Sequence, residues 1–144
     1  MKTEGFSLIE LMFVIIIVGI LTTFTYPIFQ EAITRSRRID GQTSLIDLAS
    51  RMERYFAENH SYQGATLGTG TSTDILASKH SSQSWYILAI VEQTDSSFNL
   101  EAIPTKAQAI NDKACQTLGL NNLGIKTVTA GPGGLPTAKA DICW

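Results

Sequence analysis

Residues 5–29 read GFSLIELMFVIIIVGILTTFTYPIF, and no charged residue occurs from Leu11 to Phe29. That run of 19 residues is close to the ~20 that a helix needs to cross a bilayer. Leu11, Met12, Phe13, Val14 and three successive isoleucines form an unbroken apolar row, while Thr22, Thr23 and Thr25 make the far end less apolar. A secretory signal places its small-residue cleavage site after the apolar core. Here the only small-residue break near the start, Gly5, lies before it. Glu10 is the informative residue, because a central charge in lipid costs ~3 kcal/mol or more. It either snorkels to the headgroups, as in an ordinary signal anchor, or meets a cation. Phe6 stands four residues earlier, about one helical turn or ~6 Å along the axis. A cut after Gly5 would give Phe6 a new amino group. In a packed array, the Glu10 carboxylate of one subunit would then meet the amino terminus of the next.

The stretch Gly5–Met12, GFSLIELM, resembles the class III leader junction of type IV prepilins. That resemblance implies cleavage between Gly5 and Phe6 by a prepilin peptidase, N-methylation of Phe6, and an assembly role for Glu10. It also implies three segments: a leader at 1–5, a transmembrane and filament-core helix at 6–29, and an exported head at 30–144. The expected partners are other pilin subunits, the peptidase and the inner-membrane assembly machinery. The precursor is expected to span the inner membrane once with its head in the periplasm, and to end in an extracellular pilus. One count runs the other way. Lys2 is the sole cation before the apolar run, while Arg35, Arg37 and Arg38 follow it, and lysine and arginine alone would put the head side in the cytoplasm.

Gly19 and Pro27 interrupt the apolar helix. Proline removes an internal hydrogen bond, so Gly19–Pro27 is where the helix either kinks gently or, as in pilin filaments by resemblance, melts. Beyond it, Leu45, Leu48, Ala49, Met52, Tyr55 and Phe56 recur at spacings of three and four and define one apolar stripe. Glu31–Arg35 and Asp47–Arg51 are i,i+4 pairs with the acid first. The cluster at Arg35–Arg38 therefore reads as a solvated helix face, with contact to neighbouring subunits as the alternative. The helix is expected to reach about Glu58.

Residues 59–84 are rich in Gly, Ser and Thr and read as a surface connection, with a short helical piece near 74–79. GTGTST at 68–73 lacks the lysine of a phosphate loop. Trp85–Val91, Phe98–Ile103, Ala114–Leu120 and Gly124–Thr129 read as strands, with Asn121-Asn122 as a hairpin turn and an irregular GPGGLP tail at 131–136. The expected fold is α+β: a long amino-terminal hydrophobic helix packed on a small antiparallel sheet of three or four strands, closed by a carboxyl-terminal disulfide loop. Cys115 and Cys143 lie 28 residues apart. In an exported chain their default state is a disulfide, worth about 3–4 kcal/mol by the chain-entropy model, with two free buried thiols as the alternative.

RMERYFAENHSY at 51–62 and the terminal Cys-Trp resemble the PilE-like minor pilins of the type IVa group. Those include pilus-assembly initiators and a DNA-uptake receptor. The leading expectation is thus a structural pilus subunit, a minor pilin taking part in pilus assembly, with a minor pilin acting as DNA-binding receptor in DNA uptake or a type II secretion pseudopilin as alternatives. Lys106, Lys113, Lys126 and Lys139 are the candidate DNA contacts if they share a face. Residues 57–144 carry five lysines against seven acids, and aromatic residues are not interleaved with those lysines along the chain. No catalytic set, cofactor motif or metal-ligand spacing occurs; His60 and His80 stand alone.

Overall fold

The computed structural model describes residues 6–144; the leader and Gly5 lie outside the described residues. Two units follow one another along the chain, Met1–Ile33 and Thr34–Trp144.

Helix α1 spans Leu8–Asn59. Ser7 precedes it, and the Glu10 carboxylate accepts the Ser7 backbone N–H at 3.3 Å, the returning half of an S-x-x-E capping box. The first unit exposes its apolar side chains, Ile15, Leu21 and Ile28 each being more than 60% accessible. Its most apolar 18-residue window has a mean hydropathy of 2.4, long and apolar enough to cross a membrane. The helix continues through Gly19 and Pro27. Just before the proline, Thr22, Thr23 and Thr25 donate their hydroxyls to the carbonyls of Val18, Ile20 and Leu21 at 2.6–2.8 Å. Such bonds satisfy the side chains inside an apolar helix without breaking it.

In the second unit, Leu45, Leu48 and Met52 are completely buried and Ala49, Tyr55 and Phe56 pack beside them, so the stripe is the helix face that meets the core. Against it lies a four-stranded antiparallel sheet. β1 and β2, Thr66–Leu67 and Asp74–Leu76, form a separate parallel pair in the connecting loop. The sheet consists of β3 (Tyr86–Gln93), β4 (Phe98–Pro104), β5 (Thr117–Asn121) and β6 (Lys126–Thr129), in the order β3-β4-β5-β6. Phe98, Leu100, Ala102 and Pro104 alternate inward along β4, the period-two pattern of a half-buried strand. Short helices α2 (Lys106–Asn111) and α3 (Ala140–Cys143) complete the unit. The helical piece expected near 74–79 is instead strand β2: Asp74 and Leu76 pair with Thr66 and Leu67, and Gly68 N–H reaches Leu76 O.

Each sheet edge is met in part by another segment of the head. Along β3, Leu88 N–H donates to Lys79 O and Ser81 N–H to Tyr86 O. Along β6, the Trp144 indole N–H donates to Thr127 O at 3.2 Å. The disulfide Cys115–Cys143 forms with a Cα–Cα distance of 5.5 Å and ties α3 to the start of β5. The GPGG tail is fixed rather than loose. Gly133 N–H donates to Gln116 Oε1 at 2.9 Å, and a Cβ on Gly133 would collide with the carbonyl of Ala109.

Candidate functional site

Three groups of polar residues stand out in the second unit. The first is buried. Asp112, with no side-chain exposure, receives two hydrogen bonds from Arg38, from Nε at 2.9 Å and from Nη2 at 2.7 Å. Gln108 Nε2 adds a third at 3.0 Å and bridges on to Tyr86 Oη and Thr34 O. The Cys115 N–H approaches the same carboxylate at 3.3 Å, so the network joins α1, α2 and the disulfide. Burial pushes the Tyr86 phenol far above its ordinary value, which keeps it protonated in this network.

The second group surrounds Trp85 at the start of β3. The Arg37 guanidinium carbon lies 3.6 Å from the centroid of the half-buried indole, and Lys106 Nζ lies 5.8 Å from the same ring. Both distances fall within cation–π range. Arg35–Arg38 is therefore not simply a solvated face. Arg38 is locked to Asp112, Arg37 is stacked on Trp85, and Arg35 is exposed. Two of the three arginines that weighed in the charge count thus have structural work within the folded head.

The third group lies at the opposite sheet edge. Lys126 Nζ sits 5.0 Å from the centroid of the Trp144 ring. Trp144 follows the disulfide directly, and its indole N–H is bound to β6. Lys113 and Lys139 flank the place where the tail runs beside the chain entering β5, through Thr137 N–H to Lys113 O and Ala138 N–H to Ala114 O. Lys113, Lys126 and Lys139 accordingly belong to the disulfide-closed side of the head, with Asp141 as the nearby exposed acid. Lys106 does not join them. It sits by the β3 edge, three strand spacings or about 14 Å across the sheet from β6. The sequence reading that aromatics are not interleaved with the lysines is corrected in space: Lys126 and Lys106 each meet a tryptophan, across 18 and 21 positions of chain. The terminal Cys-Trp pair was the signal that could have found the first of these.

The threonine-rich loop is organised by Asp74. Its carboxylate accepts Thr66 and Thr69 hydroxyls at 2.7 and 2.8 Å and the N–H groups of Thr69 and Gly70. These bonds, the Thr66 hydroxyl first, hold its carboxyl below the usual carboxylate range. His60 and His80 are exposed and far apart in role: His60 ends α1 at a left-handed φ of 58°, and His80 bridges to Ile87 through its backbone. Among the described residues no group of three His, Cys, Asp or Glu could hold a metal.

A long apolar-to-amphipathic helix, a four-stranded antiparallel sheet on its second half and a disulfide closing the tail together define the type IV pilin fold. Residues 27–119 match the family described as "Type IV minor pilin ComP, DNA uptake sequence receptor", and the chain belongs to that family. Residues 1–26 match the prokaryotic N-terminal methylation motif. The chain is 36% identical over 61 residues to the type IV major pilin protein PilA of Myxococcus xanthus, covering 42% of this chain and 28% of that protein. It is 41% identical over 56 residues to the type IV major fimbrial protein FimA of Dichelobacter nodosus, covering 39% and 32%. The chain thus spans less than a third of the length of these two curated relatives. The crystal structure of the Neisseria meningitidis non-core minor pilin PilV superposes with a TM-score of 0.53 at 18% identity, over 74% of this chain and 97% of that one. That likeness supports the fold.

Proposed function

We propose that this minor pilin serves as a DNA receptor on the type IV pilus and contacts DNA with the disulfide-closed edge of its head. The observation that carries the reading is the Lys126–Trp144 stack. The indole is fixed by the neighbouring disulfide and by its bond to Thr127 O, so it holds the ammonium in place before any phosphate arrives. Lys113 and Lys139 extend the cationic edge, and phosphate contact by lysines is the sequence-independent part of DNA binding. The family description supplies the second support, since it names a receptor for DNA uptake sequences.

The match to the methylation motif supports the processing part of the reading. The chain is cut between Gly5 and Phe6 by a prepilin peptidase, Phe6 is N-methylated, and residues 6–29 become the membrane and filament-core segment. The head, 30–144, faces the periplasm before assembly. Glu10, which caps its own helix in the single chain, exchanges the Ser7 N–H for the amino terminus of a neighbouring subunit. Gly19–Pro27 is the segment that loses helical order inside the fibre. A structural role without enzymatic chemistry fits the fold and family.

The test is selection of the full chain, in detergent micelles, against a pool of randomised DNA duplexes. Enrichment of one motif by the wild type and its loss in Lys126→Glu support the receptor reading. Retention of the same motif by Lys126→Glu and Trp144→Ala would place DNA contact elsewhere on the molecule, and no enrichment by the wild type would remove the reading.

A further inference from the structure

Asp40, Ser44, Asp47 and Arg51 recur on α1 at spacings of four, three and four, so they share one helix face beside the buried stripe. Both ends of this polar row are clamped to the segment that connects α1 to β3. Asp40 accepts the Ser81 hydroxyl at 2.6 Å and the Gln83 N–H at 3.1 Å. Arg51 donates from Nη1 to Ile75 O at 3.3 Å and from Nε to Asp47 Oδ2 at 2.8 Å. Between the clamps lies a cleft of about 490 Å³, walled by Ser44 and Asp47 from α1, by Ser78, His80 and Ser82 from the connection, and by Leu88 from β3. That volume falls within the ~300–1,000 Å³ range of ligand clefts. The connection is also bonded to the sheet, through Leu88 N–H to Lys79 O and Ser81 N–H to Tyr86 O. The walls are therefore held in place before any ligand arrives.

Ser44 is the telling residue. Thr43 beside it returns its hydroxyl to Ile39 O at 2.8 Å, the usual resort of a hydroxyl on a helix. Ser44 is only 8% exposed, yet among the described residues its hydroxyl has no partner. A ligand that supplies the missing bond removes the cost of leaving a buried hydroxyl unpaired. The other groups on the walls are also open. Ser78 accepts the His80 backbone N–H, so its own hydroxyl hydrogen remains to be given. Asp47 Oδ1, the Ser82 hydroxyl and the exposed His80 imidazole have no partner among the described residues.

The chemistry of the walls selects the ligand. Hydroxyls and a neutral imidazole each combine a donor with an acceptor, which is the property of a sugar hydroxyl. Leu76 and Leu88 add apolar surface for the C–H face of a ring. No lysine or arginine lines the cleft and one carboxylate does, so a phosphate would meet repulsion without a counter-charge. We propose that this cleft is a glycan-binding site that takes a neutral hexose or N-acetylhexosamine ring, with Ser44 and His80 among its hydrogen-bonding residues. This is a function separate from the DNA reading. The cleft adjoins β3, whereas the candidate DNA lysines belong to the β6 side, so either can fail alone.

Amide chemical shifts of the full chain in micelles of a sugar-free detergent test it. The probes are the methyl glycosides of glucose, galactose, mannose, N-acetylglucosamine and N-acetylgalactosamine, with inorganic phosphate and a DNA duplex as anionic comparisons. At least one glycoside is expected to shift the Ser44, Ser78 and Leu88 signals saturably. Ser44→Ala, which suits a helix, is expected to weaken that affinity about five-fold, as befits the loss of one neutral hydrogen bond. His80→Ala, which alters only an exposed side chain, is expected to weaken it as well, and Lys126→Glu to leave it unchanged. No saturable shift with any glycoside, or unchanged affinity in both Ser44→Ala and His80→Ala, would overturn the proposal. Phosphate or the duplex shifting these signals in place of the glycosides would overturn it in favour of an anionic ligand.

Discussion

Arg38 and Asp112, 74 positions apart, meet through paired hydrogen bonds at 2.9 and 2.7 Å in the interior of the head. The pair fixes α2 to α1 and places the chain that enters β5, so the disulfide side of the head is built on it. Removing one partner leaves the other charge buried, which typically costs about 3–5 kcal/mol. Arg38→Ala is expected to lower the free energy of unfolding by that order, and the urea midpoint with it. Arg38→Met/Asp112→Leu should recover part of the loss, because an apolar pair needs no counter-charge. Equilibrium unfolding of the four-member mutant cycle measures the coupling.

Cys143→Ser removes both the loop closure and the anchor of Trp144. The stability loss is expected near 3–4 kcal/mol for a loop of this size. DNA affinity should fall under conditions where the head is still folded, because Trp144 then keeps its bonds to Thr127 O and Ala140 O but loses the disulfide beside it. Thermal unfolding and DNA binding measured on the same sample separate the two effects.

Much of the fold was legible in the sequence for simple physical reasons. The apolar stripe from Leu45 to Phe56 has helical period and is buried as that period requires. The four strands announce themselves by β-branched and aromatic runs between polar turns. What was not legible depends on tertiary partners. Nothing local marks Arg38 as buried, since its counter-charge lies far along the chain. Asp74–Leu76 looked helical because its strand partner is a two-residue segment too short to show a pattern. The lysine–tryptophan contacts leave no local sign, because each lysine is far in sequence from its ring.

Glu10 has a local role as well as its proposed one in assembly. A carboxamide preserves the capping bond to Ser7 N–H but removes the charge. Glu10→Gln and Glu10→Ala are therefore both expected to be processed and to be missing from sheared fibres. Normal incorporation of Glu10→Gln would show that the cap, and not the charge, is what assembly needs.

Asp74 gives the connecting loop an acid limit. Its carboxyl is held below its ordinary value by the Thr66 hydroxyl and its other donors, so the stabilisation is complete above that ordinary value. It is lost as pH falls through the lowered one. Amide signals of Thr69 and Gly70, whose N–H groups bind the carboxylate, should shift only below the usual carboxylate range, and Asp74→Asn should shift them at neutral pH.

The most direct test of DNA contact at the β6 edge is fluorescence anisotropy of a labelled duplex against the full chain, repeated over a range of salt. If Lys113, Lys126 and Lys139 each neutralise one phosphate, the logarithm of affinity should fall against the logarithm of salt with a slope of about −2.7. Replacing Lys126 by alanine should flatten that slope by about 0.9, while Lys106→Ala, at the other edge, should leave it unchanged. A slope unaffected by Lys126 but flattened by Lys106 would contradict the assignment and move the DNA to the Trp85 side of the head.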